Sequence, residues 1–420
     1  MYDHLAQTDR AVALAIEGEE LRESDGLELI PSENYVSLPV REALGSVFTN
    51  KYSEGYPGKR YYGGQEFTDA VEVLAIERAK KLFGCRYANV QPLSGAPANI
   101  AAYFALLEPG DTILGMDLSH GGHLTHGHPV TSMTKVFRFV RYKMSDVETG
   151  AIDYDEMRTI ALRERPKLIL AGFSAYSREL EYERFVEIGR EVGAFLMADV
   201  AHIAGLIAGG VHRNPFDAGF DVLTTTTHKT LRGPRGGMIL VREDERISDQ
   251  INKAVFPGLQ GGPHMNNVAA KAVALNEALS PSFAAYAAQI LKNAKAMEAV
   301  FRERNVRMVG GGTSNHLILA DVQGSLGVSG SEAQATLDSV GITVNKNVIA
   351  DDPRKPLDPS GIRFGTPAVT TRGLDENACA RVAHCMLDAL QARSDPRAMH
   401  TIADEVRELS RAHPIPEVFV

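Results

Sequence analysis

Between residues 87 and 241 the chain alternates short apolar runs with segments of helical periodicity, and no other feature restricts its fold as much. Residues 87–91, 111–117, 167–171, 194–198, 222–227 and 236–241 read as strands. Residues 66–84 and 182–192 carry apolar positions at helical spacing, and Gly84 stops the first of them. Such alternation implies a mostly parallel sheet with helices on both faces. In open α/β sheets ligands bind beyond the carboxyl ends of the strands. The residues that follow each run are therefore the candidates for chemistry.

The β-branched run Val222 to Thr227 favours a strand, which must stop by the turn at Gly233-Pro234. Lys229 falls just past its end, beside His228 and near the cations Arg232 and Arg235. An amine partly desolvated among cations has its neutral form favoured, and such a lysine can hold a carbonyl as a Schiff base. A lone strand-end lysine is ordinarily no more than solvated, so the reading depends on its company. Asp199 closes the apolar run 194–198, where an unpaired carboxylate is costly. It needs a cationic partner, and a protonated heterocyclic nitrogen would serve. Ser94-Gly95 open an alanine-rich helix after the run 87–91. Free N–H groups, a positive dipole end and a hydroxyl make an anion site in outline, with a simple serine N-cap as the plainer reading.

Two further segments stand out. Residues 49–64 hold four tyrosines and four glycines and almost no aliphatic side chains. Such a stretch cannot bury itself and is too aromatic for a disordered linker. Tyrosine suits a surface that is apolar at one end and wet at the other, so this stretch is expected to line a polar site or an interface. His120, His123, His126 and His128 fall within nine residues. They suggest metal first, yet the stretch has no carboxylate at ligand spacing, and its glycines suit a loop wrapping a flat ligand. No metal is expected.

Beyond residue 263 the chain reads as a long helix over 264–304, then strands at 317–321, 341–345 and 361–365, then helices at 375–393 and 397–411. The expected divisions are an N-terminal arm or interface segment (1–79), a large cofactor-binding domain (80–280) and a smaller C-terminal α/β domain (281–420). Arg363, at a strand end in the smaller domain, could hold a substrate carboxylate in a bidentate pair. The net charge of −9 disfavours nonspecific nucleic-acid or membrane-surface binding. Three cysteines without metal spacing point to a reducing compartment. The start lacks a charged-then-apolar signal pattern, and no apolar run approaches the roughly 20 residues of a membrane span. The expectation is a cytoplasmic protein with neither nucleic-acid nor membrane partner.

A Schiff-base lysine, a buried carboxylate on the preceding strand and a Ser-Gly helix start fit one cofactor. Pyridoxal 5'-phosphate needs an imine partner, an anion for its ring nitrogen and a phosphate cradle. A buried aspartate would keep that nitrogen protonated, so that the ring can accept electrons from the substrate.

At this point a resemblance can be stated. Residues 224–237, from Thr224 through Lys229 to Gly237, resemble the cofactor-lysine motif of serine hydroxymethyltransferase (glycine hydroxymethyltransferase). So do residues 50–64, 120–127, 199–205 and 360–368, and the similarity runs in order from about residue 25 to about 390. The resemblance implies a fold-type I, aminotransferase-like subunit, with a mostly parallel seven-stranded sheet in the large domain. It further implies a homodimer, or a dimer of dimers, with active sites shared between subunits, which would account for the tyrosine-rich segment.

Carried over by position, Lys229 is the Schiff-base lysine, Asp199 pairs with the pyridine nitrogen, His202 lies near the phenolic oxygen and His123 stacks on the ring. Ser94 and Gly95, with the partner's Gly261 and the partner's Gly262, would hold the phosphate, assisted by Tyr52. Ser174 and His228 line the pocket. Ser32, Arg363 and Tyr62 belong to the substrate site. Glu54 of the partner subunit is the expected proton-transfer group, and Leu118, Gly122, His123, Leu124, Tyr61, Tyr62 and Asn347 surround tetrahydrofolate. The implied reaction is reversible: L-serine and tetrahydrofolate give glycine and 5,10-methylenetetrahydrofolate. Leu93, Phe173 and Leu357 depart from the residues commonest at their positions. Two other readings therefore stand beside the first. One is a relative acting on α-methylserine, or a folate-independent aldolase of β-hydroxy amino acids. The other is a non-catalytic scaffold subunit, against which Lys229, Asp199, His202 and Arg363 all argue.

Overall fold

The computed structural model describes residues 3–416. The chain forms two compact units, one spanning Pro39–Ala288 and the other combining the N-terminal segment up to Leu38 with the chain from Gln289 onward. The segment 1–79, expected as one arm, is thus divided between them.

The unit Pro39–Ala288 is built on a seven-stranded sheet. Its strands are β1 (Tyr87–Asn89), β2 (Thr112–Met116), β3 (Arg138–Tyr142), β4 (Leu168–Gly172), β5 (Phe195–Asp199), β6 (Val222–Thr226) and β7 (Gly237–Val241). They lie in the order β1-β7-β6-β5-β4-β2-β3. The pairings from β6 across to β3 are parallel, while β7 runs antiparallel to both neighbours, so the sheet is mixed. The chain length explains the reversal. A parallel return needs a crossover of about a dozen residues or more, usually helical. Residues 227–236 contain none, so β7 can only turn back alongside β6.

Strand β3 was not foreseen from the sequence. It occupies a sheet edge, and Arg138 and Arg141 break its apolar character, as charges commonly do on edge strands. The core beneath the sheet joins Leu168, Leu170, Met197, Val222 and Ile239 to Ala98, Ala101 and Ala102 of helix α1 (Gly95–Leu106). Alanine on that face leaves room for the helix to lie close to the strands.

The long helix expected over 264–304 is two helices, α2 (Met265–Ala278) and a second over Pro281–Glu303. Pro281 has no N–H to continue the first and disfavours helical backbone at Ser280. The Ser280 hydroxyl instead accepts from the Phe283 N–H at 3.3 Å.

In the other unit, strands β8 (Leu317–Asp321), β9 (Asn345–Asn347) and β10 (Gly361–Gly365) form an antiparallel sheet in the order β8-β10-β9. The single strand expected over 341–345 is interrupted at Val344. Ile342-Thr343 pair in parallel with Leu27-Glu28, whereas Asn345–Asn347 pair with β10.

Arg372 explains the C-terminal helix (Pro396–Ala412), for which the sequence suggested no role. All five of its N–H groups donate to backbone carbonyls: Glu23, Ser24 and Gly26 on one side, Ser410 and His413 on the other. The guanidinium thus ties the last helix to the end of the helix Arg10–Asp25. Arg372→Ala would leave several carbonyls without donors. It is expected to cost about 3 kcal/mol, read as a lower denaturant midpoint for this unit. Among the described residues, no helix is long and apolar enough to cross a membrane.

Candidate active site

Five strands of the larger unit deliver candidate residues from their carboxyl ends. Strand β6 leads into the turn that carries Lys229. Thr227 N–H donates to Gly236 O at 3.1 Å, and Gly233 N–H donates back to Thr227 O at 2.7 Å, closing the turn on itself. Arg232 takes a left-handed φ of 57° and lays its guanidinium over the Tyr286 ring at 4.6 Å. Thr230 fastens the turn to the segment after β5, its hydroxyl donating to His202 O and accepting from Gly205 N–H, both at 2.9 Å. The approach requires glycine at 205, because an added Cβ would lie 2.1 Å from Thr230 O. His228 is largely buried, and its Nδ1 has no hydrogen-bond partner among the described residues. Burial, reinforced by the charges of Arg235 and Lys229, pushes its ring down to about 3, so it is neutral.

Asp199 stands at the end of the adjoining strand β5 and is held by three hydrogen bonds. Its Oδ2 accepts from Asn99 Nδ2 at 2.8 Å and from His126 Nε2 at 3.1 Å, and its Oδ1 accepts from Ala201 N–H at 3.1 Å. Burial alone would raise its pKa. The His126 hydrogen bond, the positive potential of His126 and His123, and the Asn99 amide outweigh burial and hold the carboxyl below the usual carboxylate range. Asn99 is itself oriented, accepting from Thr224 Oγ1 at 2.6 Å and donating to Thr125 Oγ1 at 2.9 Å. Gly172, at φ 141°, lets β4 pass close beneath, since a Cβ there would meet Asp199 O at 2.4 Å.

The loop after β2 carries Leu118, Gly122, His123 and Leu124. Gly121 O accepts from the N–H groups of Ser174 and Ala175, which seats the loop on the end of β4 beside Ser174. Gly122 has no room for a side chain, because a Cβ would lie 2.2 Å from Met116 O. His123, His126 and Asp199 offer donor atoms within 4.8 Å of one another, so folding brings the histidine loop the carboxylate that its own stretch lacks. These groups are already engaged in hydrogen bonds, His126 Nε2 with Asp199 Oδ2 among them. His126 Nδ1 accepts from His123 N–H and His123 Nδ1 accepts from Thr125 N–H, both at 3.2 Å.

After β1 the chain reaches Ser94 and Gly95 at the start of α1. Ser94 is extended and its side chain makes no capping bond, so the plainer N-cap reading is not what the structure contains. Its hydroxyl and the first amides of α1 remain for an anion. Gly95 keeps the helix end close to the sheet, since a Cβ would lie 2.8 Å from Thr226 Cγ2.

The tyrosine-rich segment gathers a second group of candidates. Tyr52 Oη donates to Glu54 Oε1 at 3.3 Å, and the Tyr52 and Tyr62 rings meet edge to face at 5.3 Å. Gly261 and Gly262 pack against the same tyrosine, a Cβ on Gly262 falling 3.2 Å from its ring. Tyr61 lies against Phe256. The aromatic faces stay largely open: Tyr52 is 55 %, Tyr61 72 % and Phe67 70 % exposed.

In the other unit, Arg363 stands in β10 opposite Asn345, whose Oδ1 accepts from its Nε at 3.1 Å. Burial pushes its guanidinium down to about 10, which favours an anionic partner there. Ser32 follows a segment fixed to the same strand, where Gly365 N–H donates to Leu29 O and Pro31 packs on Gly365. Asn347 is half-buried in β9, its Nδ2 donating to Val348 O at 2.7 Å.

Sequence reasoning singled out Asp199 but missed the groups that hold it. Asn99 had a usable signal, a lone amide on the buried face of an alanine-rich helix. His126 was visible as one histidine among four, but only the fold tells it apart.

The chemistry of the larger unit suits pyridoxal 5'-phosphate. It has a lysine beside a neutral histidine, a buried carboxylate whose Oδ1 receives only one of the donors described, and a helix start with an uncommitted serine. The serine hydroxymethyltransferase family model matches residues 5–386. With nearly the whole chain covered, the protein belongs to the serine hydroxymethyltransferase family of pyridoxal-phosphate-dependent transferases.

Proposed function

We propose that the protein transfers the hydroxymethyl group of L-serine to tetrahydrofolate, reversibly, giving glycine and 5,10-methylenetetrahydrofolate. The observation that carries this reading is Lys229 in the turn after β6 and Asp199 at the end of the neighbouring parallel strand β5, in a chain of this family. Bound through Lys229, the cofactor supplies the electron-accepting ring. Asp199 would hold a proton on its ring nitrogen, His202 and His123 would bind beside it, and Ser174 and neutral His228 would line its pocket.

Ser94 and Gly95 bind the phosphate, with Gly261 and Gly262 of the partner subunit completing the cradle and Tyr52 assisting. Ser32, Arg363 and Tyr62 orient the substrate carboxylate. Glu54 of the partner subunit moves the proton at the serine hydroxyl. Leu118, Gly122, Leu124, Tyr61 and Asn347 receive the folate. The exposed aromatic patch around Tyr52 and Tyr61 supports a homodimer or a dimer of dimers, since a second copy would cover it. The domain limits proposed for this reading remain an arm to residue 79, a cofactor domain to 280 and a smaller domain beyond, in a cytoplasmic enzyme.

Phe173 gives the alternative its footing. It is buried just past the end of β4, next to Ser174, and its ring packs against Tyr176 at 5.5 Å. A relative acting on α-methylserine, or a folate-independent aldolase, would follow where Phe173, with Leu93 and Leu357, reshapes the substrate or folate pocket. The test is glycine formation from L-serine by the cofactor-loaded protein, with and without tetrahydrofolate. Strong stimulation by folate is the expected result. Cleavage of α-methylserine or allo-threonine with none of serine, or turnover indifferent to folate, would overturn it in favour of the alternative.

A further inference from the structure

Lys271, midway along α2, is almost wholly buried, with 1 % of its surface exposed. Its Nζ donates to Val90 O at 2.7 Å, Gly237 O at 2.9 Å and Pro92 O at 3.0 Å. Three acceptors use every N–H of an ammonium, whereas a neutral amine would leave one unmatched. Burying a charge is costly unless its hydrogen bonds are complete, and here they are complete. Burial pushes the amine down to about 7, opposed by the carboxylate of Glu72, which is itself buried and paired with Arg60.

The three carbonyls belong to the two backbone stretches that shape the start of α1. Val90 and Pro92 lie in the connection from β1 to Ser94, and Gly237 opens β7 just after the Lys229 turn. Those stretches are also joined directly, since Gly237 N–H donates to Pro92 O at 3.0 Å. Their approach is close enough that a Cβ on Gly237 would lie 2.4 Å from Ser94 O. Gly236 makes room for the amine, its missing Cβ falling 2.4 Å from Lys271 Cε. An ammonium placed there fixes the path of the chain into Ser94-Gly95. It also adds positive charge beneath a helix end already favourable to anions.

We infer that Lys271 is a positioning residue for the anion cradle, setting the affinity for the cofactor's phosphate without touching the cofactor. The inference rests on the reading of Ser94-Gly95 as the phosphate site. Its test compares two ligands on the cofactor-free protein: pyridoxal 5'-phosphate, and pyridoxal, which has the aldehyde but no phosphate. Lys271→Met removes the ammonium and all its donors, and Lys271→Gln removes the charge while keeping an amide with two N–H donors. Both variants are titrated with both ligands, and imine absorbance is followed to saturation.

The expected result is a loss of phosphate-ligand affinity of about tenfold or more, the scale of one lost charge contribution in a buried site. Pyridoxal affinity and the absorbance at saturation should stay near wild type. Equal losses for both ligands would mean a merely structural lysine and would overturn the inference, as would unchanged affinity for the phosphate ligand. If Lys271→Met does not fold, Lys271→Gln carries the comparison. A wild-type protein that forms no imine with either ligand would instead remove the Lys229 reading on which the inference stands.

Discussion

Lys229→Ala is expected to lower serine cleavage by roughly a thousandfold or more, because it removes the group that joins covalently to the cofactor. The loss should fall on turnover rather than on folding. Lys229 is only half-buried, and the turn around it is held by Thr227, Thr230, Gly233 and Gly236 through contacts that do not use its side chain. The variant should therefore unfold at close to the wild-type temperature while failing to form an imine. Retained activity would show that another amine does the work.

Asp199→Asn should lower turnover by roughly 100- to 1000-fold, the scale for removing one preorganised electrostatic group. The substitution is nearly isosteric, but Asp199 Oδ2 now receives two donors, Asn99 Nδ2 and His126 Nε2. An amide NH2 cannot accept from them, and the other orientation would set it against the Ala201 N–H. Either choice leaves a buried donor facing a donor and takes the negative charge from the ring nitrogen. A stability effect accompanies the loss. The wild-type carboxyl titrates below its unfolded value, so its stabilisation is present above the ordinary carboxylate range and is lost as pH falls through and below it. The variant should lack this acid-side dependence. Steady-state turnover and a denaturation series against pH read the two effects separately.

How far the sequence could be read follows from which interactions are local. The strands around Leu168, Phe195 and Val222 were legible because buried strands are apolar throughout and end at turns. The helix Tyr182–Val192 was legible from its periodicity, and Gly84 ended the preceding one as a left-handed cap. Strand β3 was not, since edge strands need no continuous apolar run. The break at Ser280 had been taken as a domain boundary inside a longer helical reading, although Pro281 carried the local signal for it.

In the site, Lys229 and Asp199 stand where a strand runs out, and that is a local property. The hold on Asp199 comes from Asn99 in helix α1, 100 residues away in sequence, and from His126, 73 residues away, and no spacing rule reaches that far. Lys271 was hidden for the opposite reason. In an alanine-rich helical sequence it looks like an ordinary solvated lysine, and only its three carbonyl partners show otherwise.

The most direct measurement is of where the cofactor attaches. The cofactor-loaded protein is reduced with borohydride, digested and mapped by mass, with Lys229→Ala treated in parallel. A single pyridoxyl-modified lysine at position 229, absent from the variant, is the expected result. Modification at Lys271 or any other lysine in the wild type, or none at all, would contradict the assignment of the strand-end turn as the catalytic centre.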